Sequence, residues 1–355
     1  MKHHRTTFRA LICVLTATGP TLIAERAMGQ GCEPIRFTTP VSLGGQGETY
    51  QRGHEWRLSL AYRRLVSDEF FVGTSENSAL GPGGQAPVFR IHTFVADVGY
   101  SINDRYRVRL SVPVSSGSVS RMWPDRVIHT QSATGIGDVN VVGEAWILTP
   151  RTHANGNIGV GLGVKAPTGS HTIGSRFYTA GGSIDYPADQ TVQPGDGGWA
   201  LLVQSQGFRQ ITDRTYGYAF GSYMVSPKAH SDVRLQPNTG QYWSVPDVYS
   251  AQLGGAFSVL PDQGLSMSLG GRVDGIPVHD LLGGGDDSTI KRTSYVVYAD
   301  PGLSFTRGKG TFTLSVPYRL AVNRKKSLFE QQTATAVNGG GFAKYLVFAA
   351  YSHRF

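Results

Sequence analysis

The sequence predicts an all-β protein: a closed, transmembrane antiparallel β-barrel of about twelve strands, with short turns at one end and long loops at the other. Three observations carry this. Apolar and polar residues alternate with a period of two through stretch after stretch, with Tyr and Phe on the apolar face and Arg opposite. Outside the N-terminus the longest unbroken apolar run is Tyr345 to Tyr351, far below the roughly 18 to 20 residues a spanning helix needs, so any membrane span must be a strand. In the last stretch, Tyr345, Val347, Ala349, Tyr351 and Phe355 take one face while Lys344, Ser352 and Arg354 take the other. The edge of such a strand is a template for aggregation unless it is paired, and a barrel pairs its last strand with its first.

Composition agrees with a large barrel. Gly is abundant at 46 residues of 355, Tyr and Phe reach 16 each, and mean hydropathy is only -0.18. Lys2, His3, His4, Arg5 and Arg9 precede an apolar stretch from Ala10 to Ala24 and a small-x-small pattern at Ala27-Met28-Gly29. That is the layout of a secretory signal peptide over residues 1–29, cleaved before Gln30. Gly19-Pro20 interrupts the run and Glu25-Arg26 ends it, which argues against a retained anchor; Gly29 ahead of Cys32 argues against lipidation. Cys13 leaves with the signal and Cys32 remains alone, so the fold must hold without an internal disulfide. The formal charge is +8. Its basic residues recur at alternate strand positions and form no nucleic-acid motif, so nucleic acid is not an expected partner.

Residues 30–53 are polar and Gly-rich, with Pro34, Pro40 and Gly44-Gly45. They read as a periplasmic N-terminal segment, either a flexible leader or a partial plug of the lumen. The barrel is expected over residues 54–355. Strand one, about Glu55 to Leu65, sets Trp56, Leu58, Leu60 and Tyr62 against Arg57, Ser59, Ala61 and Arg63. A long loop through Gly81-Pro82-Gly83-Gly84 leads to strand two, with Phe94, Ala96, Val98 and Tyr100 outward and Val95, Asp97 and Gly99 inward. Asn103-Asp104 makes a tight turn, and strand three opposes Tyr106, Val108, Leu110 and Val112 to Arg105, Arg107, Arg109 and Ser111. Strand four, about Gly137 to Leu148, turns Asp138, Asn140, Glu144 and Trp146 inward. Strand five, Ile158 to Ala166, alternates Val160, Leu162 and Val164 with Gly159, Gly161, Gly163 and Lys165. The largest outer loop is expected from Pro167 to Gly195. Strands six and seven flank Thr212-Asp213-Arg214, where Tyr216, Tyr218 and Phe220 resemble one end of an aromatic girdle. Strands eight and nine flank Pro261-Asp262-Gln263-Gly264, with Leu265, Met267 and Leu269 outward and Arg272 and Asp274 inward. Strands ten and eleven flank Arg307-Gly308-Lys309-Gly310, with Phe312, Leu314, Val316, Tyr318 and Leu320 outward and Thr313, Ser315 and Arg319 inward.

Magnitude decides which face is which. A lipid-facing Arg costs roughly 2 to 4 kcal/mol at mid-bilayer, so the Arg side of strand three must face the lumen or a rim. By the same parity Arg57, Arg63, Asp97, Arg107, Arg109, Asp138, Glu144, Lys165, Arg272, Asp274, Arg319 and Arg354 face inward and form the expected solute pathway. An electropositive constriction of this kind would pass anionic solutes; a fully paired network would instead close the interior.

Gly135-Ile136-Gly137-Asp138-Val139 and Val164-Lys165-Ala166-Pro167-Thr168-Gly169, together with Gly197-Gly198-Trp199 and the terminal strand, carry a family resemblance. Over residues 90 to 355 the chain resembles the family of outer-membrane proteins assigned to transport in the phenol meta-degradation pathway. Glu144-Ala145-Trp146 departs from that family's usual aromatic and basic pair. The resemblance implies an outer-membrane channel or transporter, with no catalytic residues to carry over. The tail also resembles the assembly signal of bacterial outer-membrane barrels, with Tyr351 and Phe355 as its aromatic positions, which implies the barrel assembly machinery and outer-membrane lipids as partners beside small-molecule solutes. Rival readings are a non-conducting barrel whose outer loops bind a partner, and an outer-membrane hydrolase using His92, His129 with Ser132, or His171 beside Ser170. No cofactor is expected. His129, His171, His230 and His279 lack metal-ligand spacing, and Gly283-Gly284-Gly285-Asp286-Asp287 lacks the periodicity of a calcium loop.

Overall fold

The computed structural model describes residue 50 and residues 52–80, 84–283, 289–332 and 339–355. The expected signal peptide, all of residues 30–49 with Cys32, and Gly284 to Asp287 lie outside the described residues. Twelve antiparallel strands close into a barrel. They are β1 (Trp56–Val72), β2 (Val88–Ser101), β3 (Tyr106–Met122), β4 in two pieces (Ile128–Ile136 and Val139–Trp146), β5 (Gly156–Ala166) and β6 (Ala200–Gln210). The second half comprises β7 (Thr215–Val225), β8 (Val248–Leu260), β9 (Leu265–Ile276), β10 (Ser294–Arg307), β11 in two pieces (Gly310–Ser315 and Tyr318–Arg324) and β12 (Gly339–Arg354). Each strand pairs with its neighbours in sequence. β12 closes on β1 in a ladder running from Arg57 opposite Arg354 to Val72 opposite Gly339.

One end carries short turns. In the tightest class, Gly264 takes a left-handed φ of 72° and caps the single turn Pro261–Gln263, a backbone state that other residues reach only with strain. The other end carries the long connections, of which 167–199 holds a hairpin of its own, Gly174–Thr179 with Gly182–Pro187. Two strands are interrupted. β4 breaks at Gly137-Asp138, and its outer piece pairs with β3 alone because β5 has already ended. β11 breaks at Val316-Pro317, where proline has no N–H for the ladder.

The outer wall is apolar. Leu58, Leu60, Val108, Val160, Leu162, Leu253, Met267, Leu269 and Leu320 are all largely exposed, reaching 69% at Leu253. Scattered apolar side chains are normal on a water-soluble surface, but a band of them around a closed cylinder is a surface made for acyl chains. The band stops where the outer halves of β3 and β4 begin. There the outward face is Ser116, Ser118, Ser120, Thr130, Ser132 and Thr134, with Ser116–Thr134 at 2.8 Å and Ser120–Thr130 at 2.7 Å.

Three sequence expectations need correction. Tyr216, Tyr218 and Phe220 do not form a lipid-facing girdle: they share the face of Gln204, Gln206 and Phe208 and point into the lumen. Their aromatic–small alternation had the phase of a lipid face, but the register with β6 puts Ala219 outside instead. Lys344 is exposed and faces outward, because a bulge shifts the register between Leu65 opposite Leu346 and Ser67 opposite Ala343. Finally, β4 starts at Ile128 rather than Gly137. Its outer piece has a hydroxyl face instead of an apolar one, so its alternation was not visible as hydrophobicity.

Inside, the loop-side half of the barrel is filled. Leu65, Phe89, Ile91, Val119, Ala133, Val296, Tyr298, Val322, Leu346 and Phe348 converge from the walls on Ala188 and Val192, which belong to the 167–199 loop. That loop therefore folds into the cylinder.

Candidate functional site

Toward the turn end the lumen holds a cavity of about 210 Å³. Arg57 of β1, Asp97 of β2, Arg107 and Arg109 of β3 and Glu144 of β4 line one side. Across it stand Phe208 of β6 and Tyr216, Tyr218 and Phe220 of β7, with Trp146 of β4 at the rim and Gln204 and Gln206 of β6 between. The cavity wall at β5 is flat because of its glycines. A β-carbon on Gly159 would lie 3.1 Å from both Gln206 and Trp146, and one on Gly161 would lie 3.2 Å from Val142.

Charge in the cavity is shared unequally. Glu144 accepts from Arg107 Nε at 2.9 Å and from Arg109 Nε at 3.1 Å, so two guanidinium groups divide one carboxylate. Arg109 also lies 3.5 Å from Asp97 and donates to Gln204 Oε1 at 3.1 Å. The Ser111 hydroxyl donates to Asp97. Three guanidinium groups thus face two carboxylates, while the Gln204 amide oxygen takes one Arg109 N–H and the Ser111 hydroxyl satisfies one lone pair of Asp97.

The other residues expected from parity also turn inward, but they do not line this cavity. Arg354 sits at the turn-end rim as the register partner of Arg57. Arg63 and Arg272 are buried above the cavity; Arg272 Nε donates to Asp274 at 2.8 Å, and its guanidinium lies 4.7 Å from the centre of the Phe348 ring. Arg319 pairs with Glu69 and lies 4.5 Å from the Phe71 ring. Lys165, fully buried, bonds Asp138 at 3.1 Å and also Asp196. Asp138 in turn accepts from the backbone N–H of Gly169 at 3.0 Å and of Asp196 at 3.3 Å. Lys165 and Asp138 therefore tie both ends of the 167–199 loop to the wall.

Between those ties, residues 188–196 form a strap across the lumen. A β-carbon at Gly117 of β3 would lie 2.9 Å from Val192, and one at Gly135 would lie 3.3 Å from Pro194. These glycines make the track in which the strap sits. Gln131 of β4 donates to Arg176 O at 2.8 Å and accepts from Asp189 N–H at 3.2 Å, and Arg121 stands 3.4 Å from Asp189. Gln193 folds the strap on itself through Ile173 and Ala188. Val192 and Gln193 were invisible to parity, since nothing in a loop's sequence says that it turns inward, and Gln131 lies on the outer piece of β4, whose alternation does not show as hydrophobicity. The one available signal was the glycine pair Gly135 and Gly137, whose space this strap fills.

At the opposite mouth, Tyr50 packs edge-on against Trp146 and Phe208, with ring centres 5.2 and 5.5 Å away, and donates to His153 O at 2.5 Å. Asp104 accepts from Gly53 N–H at 3.0 Å and from Arg151 Nε at 2.9 Å. The Arg151 hydrogen bond, followed by that from Gly53, holds the Asp104 carboxyl below its ordinary 3.8. Of the hydrolase candidates, Ser132 faces outward and His129 stacks on Tyr178 at 3.6 Å while contacting Asp125 at 2.7 Å. Among the described residues no group of three His, Cys, Asp or Glu is placed to hold a metal ion.

No protein-family model matches the sequence, and no curated protein matches it. Solved structures do resemble it. An outer membrane channel from Pseudomonas putida F1 superposes with a TM-score of 0.60 at 13% identity, over 90% of this chain and 100% of that one. The translocator domain of the autotransporter NalP from Neisseria meningitidis gives 0.44 at 10% identity, over 86% and 90%. A FadL homologue from Pseudomonas aeruginosa gives 0.40 at 12% identity, over 85% and 90%. At these identities the first likeness is one of fold: the chain has the fold of an outer-membrane barrel, as the resemblance in its sequence implied.

Proposed function

We propose that this barrel sits in the bacterial outer membrane, after export on its cleaved signal, and lets small planar solutes with an aromatic body and an anionic group cross by diffusion. The observation that carries the reading is the cavity itself, with an aromatic wall facing three guanidinium groups and two carboxylates. A ring stacks on the first wall and an acid pairs with the second, each alone too weak to trap the solute. The pathway is shut above by the strap, whose ends are fixed by the Lys165 tie and whose middle meets the wall through the Gln131 and Arg121 contacts, at about 1 kcal/mol each, and the packing of Ala188 and Val192. A gap of a few kcal/mol leaves a minor open population that a solute can enlarge. The paired charges and the apolar core around Phe348 and Tyr298 favour a second reading, a non-conducting barrel whose loops bind a partner.

Liposome swelling separates the two. Cysteines at Gly117 and Val192, in a background with Cys32→Ser, would lock the strap when oxidised. Reduced protein should admit aromatic acids and oxidised protein should not. Equal uptake in both states removes the strap as the gate, and no uptake by either or by the wild type supports the non-conducting reading.

A further inference from the structure

The outward face of the barrel carries a cluster of cations on three adjacent strands that the lumen does not use. Arg64 of β1 stands opposite His92 of β2 and Val347 of β12; one outward position higher, Val66 stands opposite Arg90. On its other side Val66 faces the bulge that turns Lys344 outward. Arg90 and Lys344 thus flank β1 about 10 Å apart, with Arg64 roughly 7 Å below. Arg64 is partly exposed, Arg90 and Lys344 are exposed, and none of the three has an acidic partner among the described residues. Asp68 is the exposed acid nearest along β1.

Height makes this cluster informative. Tyr100 and Trp56, with ring centres 4.7 Å apart, mark the turn-end border of the apolar band. At about 3.3 Å per residue and a tilt of about 40°, the climb along β2 from Tyr100 to Arg90 is roughly 25 Å, the height of the band itself. Tyr62 and Phe94, with ring centres 5.0 Å apart, are the last aromatic pair below the cations, roughly 15 Å above Tyr100 by the same measure, and the Tyr62 hydroxyl lies 2.7 Å from His92 Nδ1. The cations begin immediately beyond. Next round the wall, the outward positions of β3 and β4 from Ser116 and Thr134 to Ser120 and Thr130 are Ser and Thr instead, so the charge does not continue onto these strands.

We infer that this sector binds the phosphate groups of a phosphorylated glycolipid in the outer leaflet, with acyl chains on Leu60, Tyr62 and Phe94 and phosphates bridged by Arg64, Arg90 and Lys344. Guanidinium forks suit phosphate oxygens, and Lys344 supplies a point charge on a stem long enough to reach the headgroup plane. The spacing of about 10 Å allows two separate phosphates on one headgroup to be held together.

Native mass spectrometry of the detergent-purified full chain with bis-phosphorylated lipid A tests this. Wild-type protein should retain the lipid, and the R64Q/R90Q/K344Q variant should bind it about 100-fold more weakly. Lipid A stripped of both phosphates should bind the two proteins alike. Unchanged binding by the variant overturns the inference, as does wild-type binding of phosphatidylglycerol as tight as that of lipid A. The three residues lie outside the lumen, so the variant's solute uptake should match the wild type whether or not the transport reading survives.

Discussion

Single residues decide whether the inward charges are structure or pathway. Lys165 has no exposure and serves Asp138 and Asp196 at once, so replacing it removes the cation that these two carboxylates share. Breaking a buried ion pair from one side costs about 3 to 5 kcal/mol. Lys165→Met should lower the unfolding free energy of the refolded barrel, measured by urea titration, by that much, and proteolysis should cut the 167–199 loop first. Glu144 differs because its partners line the cavity. Glu144→Gln should leave Arg107 and Arg109 undercompensated, and any current in planar bilayers should shift its reversal potential toward that of the anion; an unchanged potential would mean these arginines do not face the permeating ions. Asp104 adds a pH dependence. Its folded carboxyl lies below 3.8, so its contribution is present above that pH and is lost as the pH falls through the depressed value. Amide exchange at Gly53, whose N–H Asp104 accepts, should accelerate in acid below that range and at every pH in Asp104→Asn.

Elements show where sequence reasoning held and where it could not. β3 was legible because a lipid-facing Arg is costly, so Arg107 and Arg109 fixed the phase of the strand. β5 was legible for a similar reason, with glycines and Lys165 opposed to Val160, Leu162 and Val164. The outer piece of β4 was hidden because its outward face meets no acyl chains and has no reason to be apolar. The inward aromatics of β7 misled because Tyr and Phe suit a stacking wall as well as a membrane border. The strap was the largest gap, since its packing is tertiary. It nevertheless makes a prediction at its own scale. Gly117→Val places carbon where Val192 already stands, 2.9 Å away, so the strap must lift. Uptake of aromatic acids should rise several-fold over wild type in liposome swelling, whereas Gly271→Ala on β9, with nothing within 4 Å of its added carbon, should change nothing. No increase with Gly117→Val would mean that the strap yields without opening a path.

At the scale of the whole molecule, the membrane band, the filled outer half and the inward loop make one arrangement, and the five tryptophans sample it from different places. Trp56 is 51% exposed at the turn-end border and Trp199 is 60% exposed at the loop end of β6. Trp123 and Trp243 are buried among outer-loop residues, and Trp146 stands at the inner mouth beside Tyr50. A lipid carrying bromine quenches only indoles that acyl chains can touch. Single-tryptophan proteins in bilayers brominated at successive depths should therefore fall into two groups. Trp56 and Trp199 should be quenched most by bromine near the headgroups, because Trp56 stands at the turn-end border and the climb along β6 from Gln210 to Trp199, at about 3.3 Å per residue and a tilt of about 40°, is close to the roughly 25 Å of an outer-membrane band. Trp123, Trp146 and Trp243 should be protected at every depth. Protection of Trp199 would move the upper border of the band below β6 and take with it the placement of Arg64, Arg90 and Lys344 at the headgroups. Quenching of Trp146 would turn its side chain out of the lumen and dismantle the cavity, since the same indole forms the rim against which Tyr50 and Phe208 pack.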